Sequence, residues 1–104
     1  MPSLGTITMR GRSGKAYEFR AYPIKTVFKE GLAGVFILTR RTYREATRSK
    51  RHKPLILGHN ANLRKSNVDT SDPLYSDANC ICILAEKDEN ARMEIHQDLT
   101  LSGS

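Results

Sequence analysis

Four groups of residues have the types and spacing that chemistry needs. The stretch "PLILGHNANLRKS", residues 54–66, runs an apolar segment into Gly58 and then offers His59, Asn60, Asn62, Arg64 and Lys65. A glycine between a buried strand and a helix start lets backbone approach a phosphate, and it equally lets any chain turn a corner. His59 and His96 are two imidazoles that could pass protons in metal-free RNA cleavage if brought together beside a basic surface. Taken singly, each is an ordinary surface or core-edge histidine. Cys80 and Cys82 stand two apart in "NCICILAE". Residues so spaced in a strand share a face, which suits neither a local disulfide nor the paired cysteines of a structural zinc site. They read as small buried apolar residues, and neither a metal site nor a cofactor is expected.

The fourth group is the run "RRTYREATRSKRHK", residues 40–53. It sets seven cations (Arg40, Arg41, Arg44, Arg48, Lys50, Arg51 and Lys53) against the single acid Glu45. The whole chain carries +6, but residues 1–66 hold fifteen Lys/Arg and three Asp/Glu, a balance of +12, while residues 67–104 hold two and eight, a balance of −6. A cationic cluster of this kind raises local potential and draws polyanions; its plainer reading is a solvated loop. Tyr43, among Arg40, Arg41 and Arg44, could stack on a base, whereas Tyr75 is a candidate only through its hydroxyl.

These residues must be positioned by a small frame. At 104 residues the chain is read as one domain, 1–104, with one core; 38% apolar content and no tryptophan make that core modest. No apolar run is long enough to cross a bilayer, and the start "MPSLGTITMRGRSGK" lacks a hydrophobic stretch, so no membrane partner and a cytoplasmic location are expected.

"TITMR" and "AYEFRAY" alternate in polarity around the turn residues "GRSGK", and Pro23 ends the second run: a hairpin. "VFIL", "LIL" and "CICIL" are nearly continuous in apolar character, as in central strands covered on both faces. Strands are therefore expected near 6–10, 16–21, 35–40, 54–57 and 80–85, with residues 41–53 as a long exposed loop. Asn60 is a good N-cap for a short helix near 60–66 that carries Leu63 into the core. Ala91, Ile95 and Leu99 repeat every four residues and make one buried stripe on a helix near 88–99, whose Asp88 and Glu89 suit its positive N-terminal end. The fold class is α+β: one mainly antiparallel sheet flanked by helices.

The order "GVF…PLILG…NL…NCIC…DENAR…IHQDL", with the opening "GRSGKAYEFRAYP", resembles the GIY-YIG nuclease superfamily, and most of all its small stand-alone bacterial members. The likeness covers almost the whole chain and implies a small antiparallel sheet flanked by helices. It also marks five cleft positions, Phe36, Ile56, Gly58, Ser66 and His96. Phe36 stands where the family has its first tyrosine, and Ile56 where it has the second; neither has a hydroxyl to orient a water. Gly58 is kept, as a structural corner inherited from a catalytic scaffold. Ser66 replaces an arginine and lacks the charge to stabilise a transferring phosphate. His96 replaces the glutamate that binds the metal. The resemblance thus implies a degenerate nuclease in which no catalytic residue is intact.

Two functional readings follow. The first is a catalytically silent module that binds DNA or RNA backbone through Arg40, Arg41, Arg44, Arg48, Lys50, Arg51 and Lys53 on the loop, with Arg64 and Lys65 on the short helix. The alternative is a protein-interaction or inhibitory module, of the kind small phage or mobile-element proteins provide, whose acidic final third docks a basic partner. A residual metal-dependent or rebuilt nuclease is a third reading of less weight.

Overall fold

The structure, a computed structural model, describes residues 4–26, 28–44, 49–63 and 78–100. The elements are β1 (Thr6–Arg10), β2 (Ala16–Pro23), β3 (Gly34–Arg44), β4 (Ser49–Asn60), β5 (Cys80–Ala85) and α1 (Glu89–Thr100). The strands form one sheet in the order β1-β2-β5-β3-β4, and every neighbouring pair is antiparallel. The last strand therefore sits in the middle. That position explains its sequence: a strand buried on both faces needs a continuous apolar run, and Cys80, Ile81, Cys82 and Ile83 are all buried.

Alternation along the strands divides the core in two. On the face that α1 covers, Tyr17, Phe19, Ala21, Val35, Ile37, Cys80 and Cys82 meet Leu99, with Ile95 packed against them. On the opposite face Leu38, Ile81 and Ile83 meet Leu63 and Ala78. Each large side chain so buried contributes roughly 1.5–3 kcal/mol.

Three expectations are corrected. "LIL" lies in β4, at the edge of the sheet, and Leu55, Ile56 and Leu57 are only half-buried. Gly58 is no corner: the strand runs through it to Asn60, and Gly58 pairs with Phe36. A Cβ at Gly58 would stand 2.5 Å from Cζ of Phe36, so the missing side chain makes room for a ring lying across the strand. An aromatic ring covering a strand glycine restores the packing that glycine lacks. The segment 41–53 is not a loop either, since residues 41–44 belong to β3 and 49–53 to β4. The expected helix near 60–66 lies outside the described residues beyond Leu63. What is seen of its start is an Asx turn in which Asn62 N–H donates to Asn60 Oδ1 at 2.9 Å.

The helix is fixed at both ends. Asp88 caps it by accepting from Asn90 N–H at 3.1 Å. Arg92, buried, turns back to donate through Nη1 to the carbonyls of Glu86 (3.1 Å) and Lys87 (2.9 Å), which pins the turn between β5 and α1. Near the other end, the Asp98 carboxylate accepts from Ser13 N–H (2.8 Å), Ser13 Oγ (2.7 Å) and Tyr17 OH (2.8 Å), and its backbone carbonyl accepts from Arg12 N–H (3.0 Å). A side chain at Gly11 would collide with that carboxylate. The bonds from Ser13, then from Tyr17, hold Asp98 below the usual carboxylate range, while burial first and Asp98 second raise Tyr17.

Two predictions arise from this packing. Gly34→Ala places a Cβ 2.5 Å from the backbone oxygen of Leu84, which cannot yield without breaking the β3–β5 ladder. Chemical denaturation should show a loss of about 1–3 kcal/mol, larger than for Gly58→Ala, where a half-buried ring can rotate away. The second concerns acid. Because the folded pKa of Asp98 is depressed, its contribution is complete above the unfolded value of about 3.9 and is lost as pH falls through the folded value. Urea midpoints of wild type and Asp98→Asn should therefore differ most at neutral pH and converge in acid; a gap constant with pH would refute the clamp.

Candidate functional site

β3 pairs with β5 only from Gly34 to Thr39, but with β4 as far as Arg44. Beyond Thr39 the two strands leave the five-stranded sheet as a ribbon. The break falls at a bulge between Leu38 and Thr39, where the register moves from Leu38↔Ile56 to Thr39↔Pro54. A bulge bends and twists its strand, and Pro54, having no N–H to donate, is tolerated there.

Most of the expected phosphate-binding residues lie on this ribbon. Arg40 pairs with Lys53, Arg41 with His52, Thr42 with Arg51, Tyr43 with Lys50, and Arg44 with Ser49. Arg40 and Lys53 are both exposed on the face away from α1, and Arg41 is half-buried on the face towards it. Like charges placed directly across a ladder are destabilising. Arg48, Arg64, Lys65, Ser66 and Tyr75 lie outside the described residues.

The root of the ribbon is tied down by side chains. Asn79 imitates a strand partner for Arg41: its Oδ1 accepts from Arg41 N–H at 2.7 Å, and its Nδ2 donates to the Arg41 carbonyl at 2.9 Å. Thr39, fully buried, brings its Oγ1 to 2.9 Å from His52 Nδ1 and to 3.9 Å from Cys82 Sγ. His52 Nδ1 is in turn 4.0 Å from Cys82 Sγ. Burial, and then the Arg41 charge, hold His52 below its ordinary pKa. The cysteines behave as a pair. The neighbouring Cys82 thiol brings the Cys80 thiol down to about 7 against the cost of burial, with help from Thr39, Arg41 and a backbone group at Tyr22. The same neighbour, with burial, pushes Cys82 up.

The sequence correctly places both cysteines as buried, yet it gives no sign of His52, which is hidden in a cationic run read as loop. The available signal is the shared strand face of Cys80 and Cys82, and it becomes informative only when β3 and β4 are aligned beside them.

The positions marked by the family resemblance are divided. Phe36, Ile56 and Gly58 share the face away from α1. His96 is on α1, at the other face, where its ring stands edge-on to that of His59, with centroids 5.2 Å apart and planes at 72°. The structure thus joins the two histidines and separates them from the other three positions. Comparisons of the chain with protein-family models, curated proteins and solved structures find no match.

Proposed function

We propose that this protein is a catalytically silent GIY-YIG-like module that binds the backbone of DNA or RNA through the β3–β4 ribbon. The observation that carries the reading is the register of the ribbon, which concentrates cations on a two-stranded arm overhanging the sheet. A solvated loop can shed its charges in any direction. A paired ladder instead holds Arg40 opposite Lys53 on one face, where both charges can meet a polyanion together. A two-stranded ribbon also has the width to enter a major groove. Contacts of this sort go to phosphates, so they confer affinity with little sequence preference.

Binding should weaken steeply as salt rises, because each phosphate neutralised releases counterions. Replacing Arg48, Lys50 and Arg51 by alanine should weaken all nucleic acids alike. On duplex DNA it should flatten the log–log salt slope by up to about 3, at roughly 0.9 per phosphate contact. Fluorescence anisotropy at several salt concentrations, on wild type and the triple variant, measures both. Absence of wild-type binding at low salt, or an unchanged slope in the variant, would sink the reading. The exposed face of α1, where Met93 is 43% exposed beside the exposed Glu89, Glu94 and Gln97, then becomes the surface on which a basic protein partner is to be sought.

Silence is tested separately. Phe36, Ile56 and His96 supply neither a hydroxyl to orient water nor an oxygen ligand for a hard metal, and the first two lie on a different face from the third. Plasmid DNA incubated with the pure protein and magnesium or manganese should stay intact. Nicking that His96→Ala abolishes would overturn this.

A further inference from the structure

We propose that His52, Cys80 and Cys82 form a site for a thiophilic metal ion of the zinc type, at the root of the basic ribbon. Their ligand atoms all lie within 4.8 Å of one another. Three atoms so spaced share a centre no more than about 2.8 Å from each, at most about 0.5 Å beyond the roughly 2.3 Å that zinc makes to thiolate and about 0.7–0.8 Å beyond the roughly 2.0–2.1 Å that it makes to imidazole. Closing that gap needs only small side-chain rotations.

The donor set selects the metal. Two sulfurs and an imidazole favour zinc over magnesium or calcium, which require oxygen ligands. Two thiolates also neutralise a divalent charge, each sulfur giving its proton to solvent as it takes the ion. The frame is rigid on both sides: Cys80 and Cys82 are wholly buried on the central strand, and His52 is held on β4 one strand beyond Thr39. With the ion on Nδ1, the Thr39 hydroxyl exchanges its bond to His52 for one to the Cys82 sulfur, 3.9 Å away. Among the described residues no fourth Cys, His, Asp or Glu joins the group, so a fourth position is left to water or to an incoming ligand on the half-exposed His52 side.

Binding at this site does not depend on nucleic acid. An ion here would join β4 to the central strand across β3, and so fix the direction in which the ribbon leaves the sheet.

The test is a titration of the reduced full chain with zinc against a chromophoric chelator, and with cobalt as a spectroscopic stand-in. One equivalent should bind, with thiolate-to-cobalt charge-transfer absorption, and zinc should raise the thermal midpoint. Cys82→Ser and His52→Gln should each weaken zinc by more than about 100-fold, beyond the roughly 10–100-fold cost of removing a ligand's hydrogen-bond partner. His59→Gln and His96→Gln should bind as wild type does. His52 is only half-buried, so its variant keeps the fold and remains decisive if the cysteine variants unfold. No stoichiometric zinc binding by reduced wild type, or equal affinity in His52→Gln, would overturn the site.

Discussion

Everything in this fold hangs on β5, six residues from the last third of the chain that pair on both sides at once. One side carries Arg20–Pro23 and the other Gly34–Thr39. Until β5 is in place the chain has two separate hairpins, β1–β2 and β3–β4, and an isolated hairpin is marginally stable at best. Its insertion joins them, buries Cys80 and Cys82 on one face and Ile81 and Ile83 on the other, and delivers α1 to its seat through a turn only three residues long. Both core clusters therefore depend on β5, and both require contacts between distant parts of the sequence. Folding should be governed by that non-local closure rather than by either hairpin alone.

The helix reinforces the same closure. Asp98 takes up Ser13 and Tyr17, and Arg92 holds the carbonyls that follow β5. The opening and closing segments of the chain are thereby joined by charged hydrogen bonds, the stronger kind, beside the apolar contact of Tyr17 and Leu99. That junction involves residues of both terminal stretches on which the family resemblance was noted. Their work here is structural.

How far the sequence could be read depended on where each signal came from. β1, β5 and α1 were legible to within a residue, because strict alternation, an unbroken apolar run and a four-residue stripe are local patterns with local causes. The ribbon was not. Residues 41–53 have the composition of a loop, and 41–44 and 49–53 become strands because each side of the ladder supplies the other's hydrogen bonds, which no property of a single strand records. Gly58 misled for a related reason: its neighbour in space, Phe36, is 22 positions away. His52 was missed because its partners, Thr39 and Cys82, lie on two other strands. The approach of His59 to His96 entered the sequence reading only as a condition, because nothing local in either segment records a contact between β4 and α1.

The polar groups at the root of the ribbon bear on how an edge as charged as this one is held to the sheet. A two-stranded ribbon loses, beyond Thr39, the lateral support that β5 gives the rest of β3. In its place Asn79 bonds both backbone groups of Arg41, and Thr39 bonds His52. Hydrophobic residues could fill the space of Cys80, Cys82 and Thr39 at no cost in hydrogen bonding, and a core containing polar groups stays stable only while each has its partner. Here the hydroxyl, the imidazole and the two thiols satisfy one another. Their mutual bonding sets the relative positions of β3, β4 and β5 at the point where the ribbon departs. The direction of the cationic arm is thus determined by a handful of polar contacts inside the sheet, and the exposed cations inherit a geometry that their own repulsion would not produce.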